Sequence, residues 1–330
     1  MKVDVCCGLG WGDEGKGKIV SQLSKNYDFV CRWAGGNNAG HTVFVNSIRY
    51  KTHLIPSGIF FGVKSIIGPG CVVNVEAFNE EVSYLKKHGF NINLIKISPL
   101  AHVITEKHIE QDKKSYNKKL GTTAKGIAPC YRDKFARKGI RVKDIPEQFV
   151  GHIWDEKLHG NVLCEGAQGF WLDIDYGNYP YITSSTTLPY GACSLGFAPQ
   201  CIHDIYGAIK IYDTRSGVDP DFPPILLEDE ELAKIGEIGK EYGTTTGRRR
   251  TVNYLNLDKL IKAINMSGTT KLIVSKVDIL EKVNIFRFYY ENTLYNFKNI
   301  DDMKEELTQL IKVNCVRIRE IVFSSNPERI

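Results

Sequence analysis

Between an apolar run, Val3-Asp4-Val5-Cys6-Cys7, and a helix-like segment from Lys18 to Ser24 lies Gly8-Leu9-Gly10-Trp11-Gly12-Asp13-Glu14-Gly15-Lys16-Gly17-Lys18. Closely spaced glycines present successive backbone N–H groups, and the start of a helix adds partial positive charge, so this turn suits a phosphate. Lys16 beside them has little packing value and would offset anionic charge. Gly10 to Lys16 fits the spacing G-x-x-x-x-G-K, yet Gly17 stands where a hydroxyl that holds Mg²⁺ is expected. Asp13 is the nearby group able to replace that hydroxyl.

A second segment, Gly243 to Arg250, reads GTTTGRRR. Arginine forks bind carboxylates bidentately, and threonine hydroxyls and turn amides add donors, so this loop suits a dicarboxylate. An RNA-binding reading would need aromatic neighbours, which are missing. Lys276 and Asp278, in Ser275-Lys276-Val277-Asp278, resemble the N-K-x-D purine reader of guanine-nucleotide enzymes. The aspartate would accept from guanine N1–H and its 2-amino group, donors that adenine lacks. A P-loop-type GTPase switch would account for Lys16 and this reader, but Gly17 removes the Mg²⁺ hydroxyl and no switch explains GTTTGRRR.

The elements that must position these groups show in the apolar runs. Strands are predicted at 3–7, 29–33, 65–67, 95–97, 161–164, 206–212, 271–276 and 319–323, each bounded by turn signals. Helical spacing falls between them, at 76–88 and 304–312 among others. That alternation predicts an α/β fold, a mainly parallel central sheet flanked by helices and P-loop-NTPase-like, as one domain over 1–330.

The 330 residues are 25% charged with a formal charge of +5, and no basic stripe marks a nucleic-acid surface. The excess positive charge belongs on phosphates inside a site. No apolar stretch approaches membrane-spanning length, and Met1 to Asp4 carries no signal-peptide core. The nine cysteines show no CxxC pair, and Cys6 and Cys7 read as small buried hydrophobes. Reduced thiols predict a cytoplasmic protein.

Trp11 to Lys18 also resembles the opening fingerprint of adenylosuccinate synthetases. The resemblance continues in Gly36 to Thr42 (GNNAGHT), His53 to Gly58 (HLIPSG), Gly121-Thr122-Thr123 and Ala136 to Gly139 (ARKG). It recurs in Glu165 to Gly169 (EGAQG), Tyr179 to Ser185 (YPYITSS), Gly243 to Arg250, Ser275 to Asp278 and Ser324 to Pro327. These blocks run end to end in the family's order. The resemblance implies a ligase that joins aspartate to C6 of a 6-oxopurine nucleotide. A nucleoside triphosphate phosphorylates O6, and aspartate then displaces that phosphate.

It further implies roles. Asp13 would be the base that takes the purine N1 proton and, with the Gly40 carbonyl, a ligand of Mg²⁺. His41 would be a general acid on the transferring phosphoryl group, Lys16 would offset its charge, and Gln168 would contact the purine 6-position. Gly12, Glu14, Gly15, Gly17 and Thr42 would join Lys16, Gly40 and His41 around the triphosphate. Lys276, Asp278, Ser324, Asn326 and Pro327 would hold its base. Asn38, Thr122, Thr123 and Thr183 match positions that hold the substrate nucleotide, and Arg215 and Gly217 lie in the loop beside its sugar and base. Arg137 would reach the neighbouring site of a homodimer. Thr245, Thr246, Arg248 and Arg250 would bind aspartate.

The chain departs from the family in ways that bear on substrate. It is short, with few residues between Arg141 and Glu165. The loop Thr214 to Pro224 (TRSGVDPDFPP) gains one residue and two carboxylates, Asp219 and Asp221. These are expected to accept from a 2-amino group, which guanine has and hypoxanthine lacks. Asn326 replaces a glycine, which brings ATP alongside GTP as donor. Together these departures resemble the phage branch that converts dGMP to N6-succino-2-amino-2'-deoxyadenylate, which would place the protein in a host cytoplasm. IMP is the alternative substrate.

Overall fold

A computed structural model describes residues 1–330 except 244–246, 327 and 329 and the side chain of 118. Eight strands form the central sheet: β1 (Lys2–Gly8), β2 (Phe29–Arg32), β3 (Lys64–Ile67), β4 (Ile95–Ile97), β5 (Asn161–Gly169), β6 (Ile202–Lys210), β7 (Lys271–Ser275) and β8 (Glu320–Ser324). Their spatial order is β8-β7-β6-β1-β5-β2-β3-β4, and every neighbouring pair is parallel. Strand β1 explains why the sheet is covered on both sides. Successive side chains point to opposite faces; Cys6 packs with Ile19, Val20 and Leu163, while Cys7 packs with Leu257, Leu272 and Val274. Both faces are buried, so the strand reads as one apolar run rather than an alternation.

From β1 the chain builds β2 to β4 on one side and β6 to β8 on the other. Ligands of such sheets bind beyond the carboxyl ends of the strands, where the order reverses. The glycine loop leaves β1 at that point and enters helix α1 (Lys16–Leu23), two residues earlier than the sequence predicted.

The predicted 206–212 strand is two elements. β6 ends at Lys210, and Tyr212–Arg215 belongs to a second sheet with Thr251–Asn256, Arg287–Tyr290 and Thr293–Asn296. An apolar run continued across the break because Ile211 and Tyr212 are both buried, so periodicity carried no sign of the change of sheet. This second sheet starts beside the site and carries the 214–224 loop and the segment that follows 243–250. No described helix is long and apolar enough to cross a membrane.

Candidate active site

The glycine loop is shaped from inside by Glu14. Its carboxylate is buried and accepts from the N–H groups of Gly10 (3.2 Å) and Gly12 (2.8 Å) and from Lys16 Nζ (2.6 Å). A Cβ at Gly8 or Gly169 would lie within 2.6 Å of that carboxylate, so glycine at both positions makes its room. Burial alone would raise the Glu14 carboxyl, but Lys16 and the loop amides outweigh it and hold it below the ordinary value. Sequence resemblance placed Glu14 on the triphosphate; here its oxygens face the loop's own donors, so it braces the loop and fixes Lys16.

Asp13 points the other way. It sits at φ 63°, between Gly12 and Gly15 at φ 90° and 89°, a left-handed stretch that turns its side chain out of the loop. The carboxylate is partly exposed and lies 2.9 Å from Arg250 Nε. Gly17 shows why the expected hydroxyl is absent: a Cβ there would stand 2.8 Å from the His41 Cβ. Gly17→Ser should therefore push His41 aside and cost about 1–3 kcal/mol of overpacking. A lower melting temperature together with lost phosphate release is expected; a variant equal to wild type in both would remove this contact from the argument.

His41 opens a hairpin, His41–Val45 with Ile48–Thr52, and is buried against two partners. Its Nδ1 meets Glu165, and Arg32 Nη2 stands 2.8 Å from the same atom. A carboxylate only accepts, so Nδ1 carries a proton. Glu165, at the end of β5, also accepts from the Ser57 N–H and hydroxyl, each at 2.7 Å. Burial, followed by Arg32, pushes the His41 imidazole down to about 4. Although burial opposes it, His41, Arg32 and Ser57 hold the Glu165 carboxyl at about 2. The ring is thus neutral near pH 7. Its one proton is committed to Glu165, and Nε2, 3.1 Å from Arg32 Nη2, is the acceptor of the neutral ring.

Gln168 and Asn38 meet: Gln168 Nε2 donates to Asn38 Oδ1 at 3.4 Å, over Gly35, whose missing side chain gives the amide its space. Thr183 lies on the loop after β5, tied by its N–H to the Leu172 carbonyl at 2.8 Å. Thr122 donates its hydroxyl to Asp112 at 2.7 Å, which fixes the loop. Thr123, with Asn37 and Asn74, lines a cleft of about 430 Å³. Arg137 is exposed beyond the helix Ile127–Phe135, outside this gathering.

The Gly243 N–H donates to the Arg248 carbonyl at 2.8 Å. Arg248 Nη1 reaches the Gly121 carbonyl at 3.1 Å, and buried Arg250 bridges Asp13 and Glu241. Thr245 and Thr246 lie outside the described residues, as does Pro327. Lys276 donates to the Gly239 carbonyl at 2.6 Å, and Asp278 pairs with Lys282. Lys18 joins Ser324 Oγ at 2.8 Å and the Asn326 carbonyl at 3.0 Å, and burial lowers its amine to about 8. The Asn326 side-chain oxygen accepts from the Glu328 N–H at 2.7 Å.

One expectation is overturned. Asp219 does not present a free carboxylate: Arg215 Nε (3.2 Å), Asn178 Nδ2 (2.8 Å) and the Asp221 N–H (3.0 Å) occupy it. Asp221 pairs with Lys259. Both acids fasten their loop, and neither is offered to a purine 2-amino group. Phe222 docks the loop edge-on against Trp11, 4.7 Å between rings, and Gly217, at φ 92°, passes 3.6 Å from the Gly121 carbonyl when measured from its absent Cβ position.

The carboxyl ends of six strands thus converge with two loops of the second sheet. Comparison with known proteins decides the family, because the family pattern described as adenylosuccinate synthetase matches residues 5–159 and 147–319. The chain belongs to the adenylosuccinate synthetase family. It is 38% identical to the adenylosuccinate synthetase of Lysinibacillus sphaericus, a match covering 89% of this chain and 80% of that protein. Among solved structures it is similar to fully ligated adenylosuccinate synthetase from Plasmodium falciparum, at 26% identity and TM-score 0.82, covering 99% of this chain and 97% of the other. The fold is shared by the succinoaminodeoxyadenylate synthetase of cyanophage S-2L bound to dGMP and dATP, at 19% identity, TM-score 0.70 and coverage of 94% and 99%. The protein is therefore a C–N-forming ligase.

Sequence reasoning did not assign Arg32, Glu165, Ser57, Lys18 or Glu241 to the site. Glu165, Ser57 and Lys18 stood inside family blocks, so their motifs were a usable signal. Arg32 and Glu241 had none: a lone charge at a strand end or in a helix-to-loop segment reads as surface.

Proposed function

We propose that this site joins L-aspartate to C6 of dGMP, consuming ATP or GTP, and that the Asp13–Arg250 pair is the observation that carries the reading. It puts a partly exposed carboxylate from the phosphate loop 2.9 Å from an arginine of the carboxylate-binding loop. In the first step Asp13 takes the N1 proton as O6 attacks the γ-phosphorus and the nucleoside diphosphate leaves. In the second, the aspartate amine bonds to C6, the C6–O bond breaks, and phosphate departs with that electron pair and the proton lost by the amine. Lys16 and the loop N–H groups face the charge that develops on the phosphoryl oxygens, with His41 packed beside the loop at Gly17. Arg248 and Arg250 take the aspartate carboxylates.

Asp13 and the Gly40 carbonyl are hard oxygen donors, and both are partly solvent-accessible, which fits Mg²⁺. Bound there, Mg²⁺ would supply further screening of phosphoryl charge. Exposed Phe135 and Ile140 flank Arg137, which supports a homodimer in which that arginine enters the partner's site. The nine free thiols, seven of them buried, support a reducing cytoplasm.

The choice of dGMP rests on the shortened chain and the enlarged 214–224 loop, in which Asp219 holds Arg215 at 3.2 Å. A second reading, IMP to adenylosuccinate, is favoured by the 38% identity to the Lysinibacillus enzyme. Phosphate release with Mg²⁺ and aspartate, crossing dGMP, GMP and IMP with ATP and GTP, separates them. Turnover with dGMP and not IMP is expected; turnover with IMP alone assigns the second reading.

A further inference from the structure

Glu241 is 1% exposed, lies two residues before the 243–250 loop and touches neither the glycine loop nor any group assigned above to a reacting atom. Its two carboxylate oxygens are nevertheless shared by cations from three separate elements. Oε2 accepts from Lys210 Nζ at 2.9 Å, at the end of β6, and from Arg250 Nη1, in the carboxylate-binding loop. Oε1 accepts from the Tyr212 hydroxyl at 2.7 Å and lies 3.8 Å from Lys276 Nζ, at the end of β7. Backbone bonds reinforce the hub, since the Arg250 N–H donates to the Glu241 carbonyl at 2.9 Å.

We propose that Glu241 is a positioning residue that sets the aspartate-binding Arg250 and the base-reading Lys276 from one buried carboxylate. A long arginine or lysine side chain in a site loses affinity for its ligand when its rotamer is free, and a charged, fully buried acceptor is the strongest means of fixing it. Arg250 is hydrogen-bonded at Nη1 to Glu241 and forms an ion pair with Asp13 on its Nε side. Lys276 is gripped by the Gly239 carbonyl and by Glu241. Lys210 in turn donates to Thr214 at 2.7 Å, so the same carboxylate reaches the start of the 214–224 loop. The inference rests on the proposed role of the 243–250 loop in holding aspartate.

Glu241→Gln keeps the shape and an acceptor for Tyr212 but removes the charge. KM for aspartate and KM for the nucleoside triphosphate are both expected to rise roughly tenfold or more, with KM for the nucleoside monophosphate within about twofold of wild type. A role in stability alone would lower kcat through an inactive fraction and leave all three KM values in place, and that result would overturn the inference. Should Glu241→Gln fail to fold, Glu241→Asp keeps the buried charge one methylene short; raised KM values for aspartate and triphosphate support the inference, and wild-type values overturn it. Wild-type phosphate release that ignores aspartate would sink the reading of the loop itself. Aspartate-dependent wild type with unchanged KM values in the variants sinks only the role of Glu241.

Discussion

Asp13→Ala is expected to abolish phosphate release, by about a thousandfold or more, while both nucleotides still bind. A positioned general base contributes about 10²–10⁴-fold, and the proposed chemistry gives Asp13 a metal-binding share in addition. The geometry predicts that the loss falls on kcat. Asp13 faces away from the glycine loop's interior, whose shape depends on Glu14 and its bonds to Gly10, Gly12 and Lys16. Removing Asp13 leaves that brace whole. It also does not strand Arg250, which keeps Glu241 as its carboxylate partner, so the buried guanidinium stays paired and the fold is spared the cost of an isolated charge. Calorimetric titration of nucleotide into the variant, beside phosphate release at saturating substrates, checks both halves. Activity within tenfold of wild type would end the role of Asp13 as base, and lost binding would make it a structural member of the loop.

The sequence made the parallel sheet and its phosphate loop readable because both follow from local rules. Buried parallel strands are continuous apolar runs, and a loop with positive φ at three places carries Gly12 and Gly15 at two of them and Asp13 at the third. Gly17 lies within α1 with no positive φ, and only the structure shows that its space belongs to His41. What stayed hidden depends on contacts between segments far apart in the chain. Asp219 and Asp221 read as free acids because nothing local reveals that Asn178 and Lys259 meet them, and Arg215, four residues before Asp219, turns onto it only in the folded loop. Glu14 read as a ligand contact because a motif gives order along the chain and not the direction of a side chain. Periodicity likewise missed the passage from β6 to the second sheet, since burial continues through Ile211. The family blocks named the loops that converge; the buried carboxylates Glu165 and Glu241, which hold the site's cations in place, emerge only from the packing.

His41→Asn is expected to lower kcat by about a hundredfold or more and, in the same variant, to flatten the acid side of the stability profile. Asparagine keeps the Cβ that packs on Gly17 and an N–H able to reach Glu165, so the fold should persist; what is lost is the ring beside Arg32 that is proposed to act on the phosphoryl group. The second effect follows from the depressed basicity of the imidazole. The folded-state value of about 4 lies below the ordinary 6.5, so between these values the unfolded chain binds a proton that the native state refuses. Stability must therefore rise with pH across that window and fall on acidification from 6.5 towards 4. For one such histidine the loss between pH 7 and pH 5 is about 2 kcal/mol. Glu165, held at about 2, stays ionised throughout and adds its own loss only below about pH 4.5, as pH falls towards 2. Denaturant unfolding of wild type and variant at pH 7, 6 and 5 should show the two curves converging in slope on the alkaline side and diverging below pH 6.5. Equal slopes throughout would mean that His41 is not the buried neutral group, and kcat within threefold of wild type would remove it from the phosphoryl step.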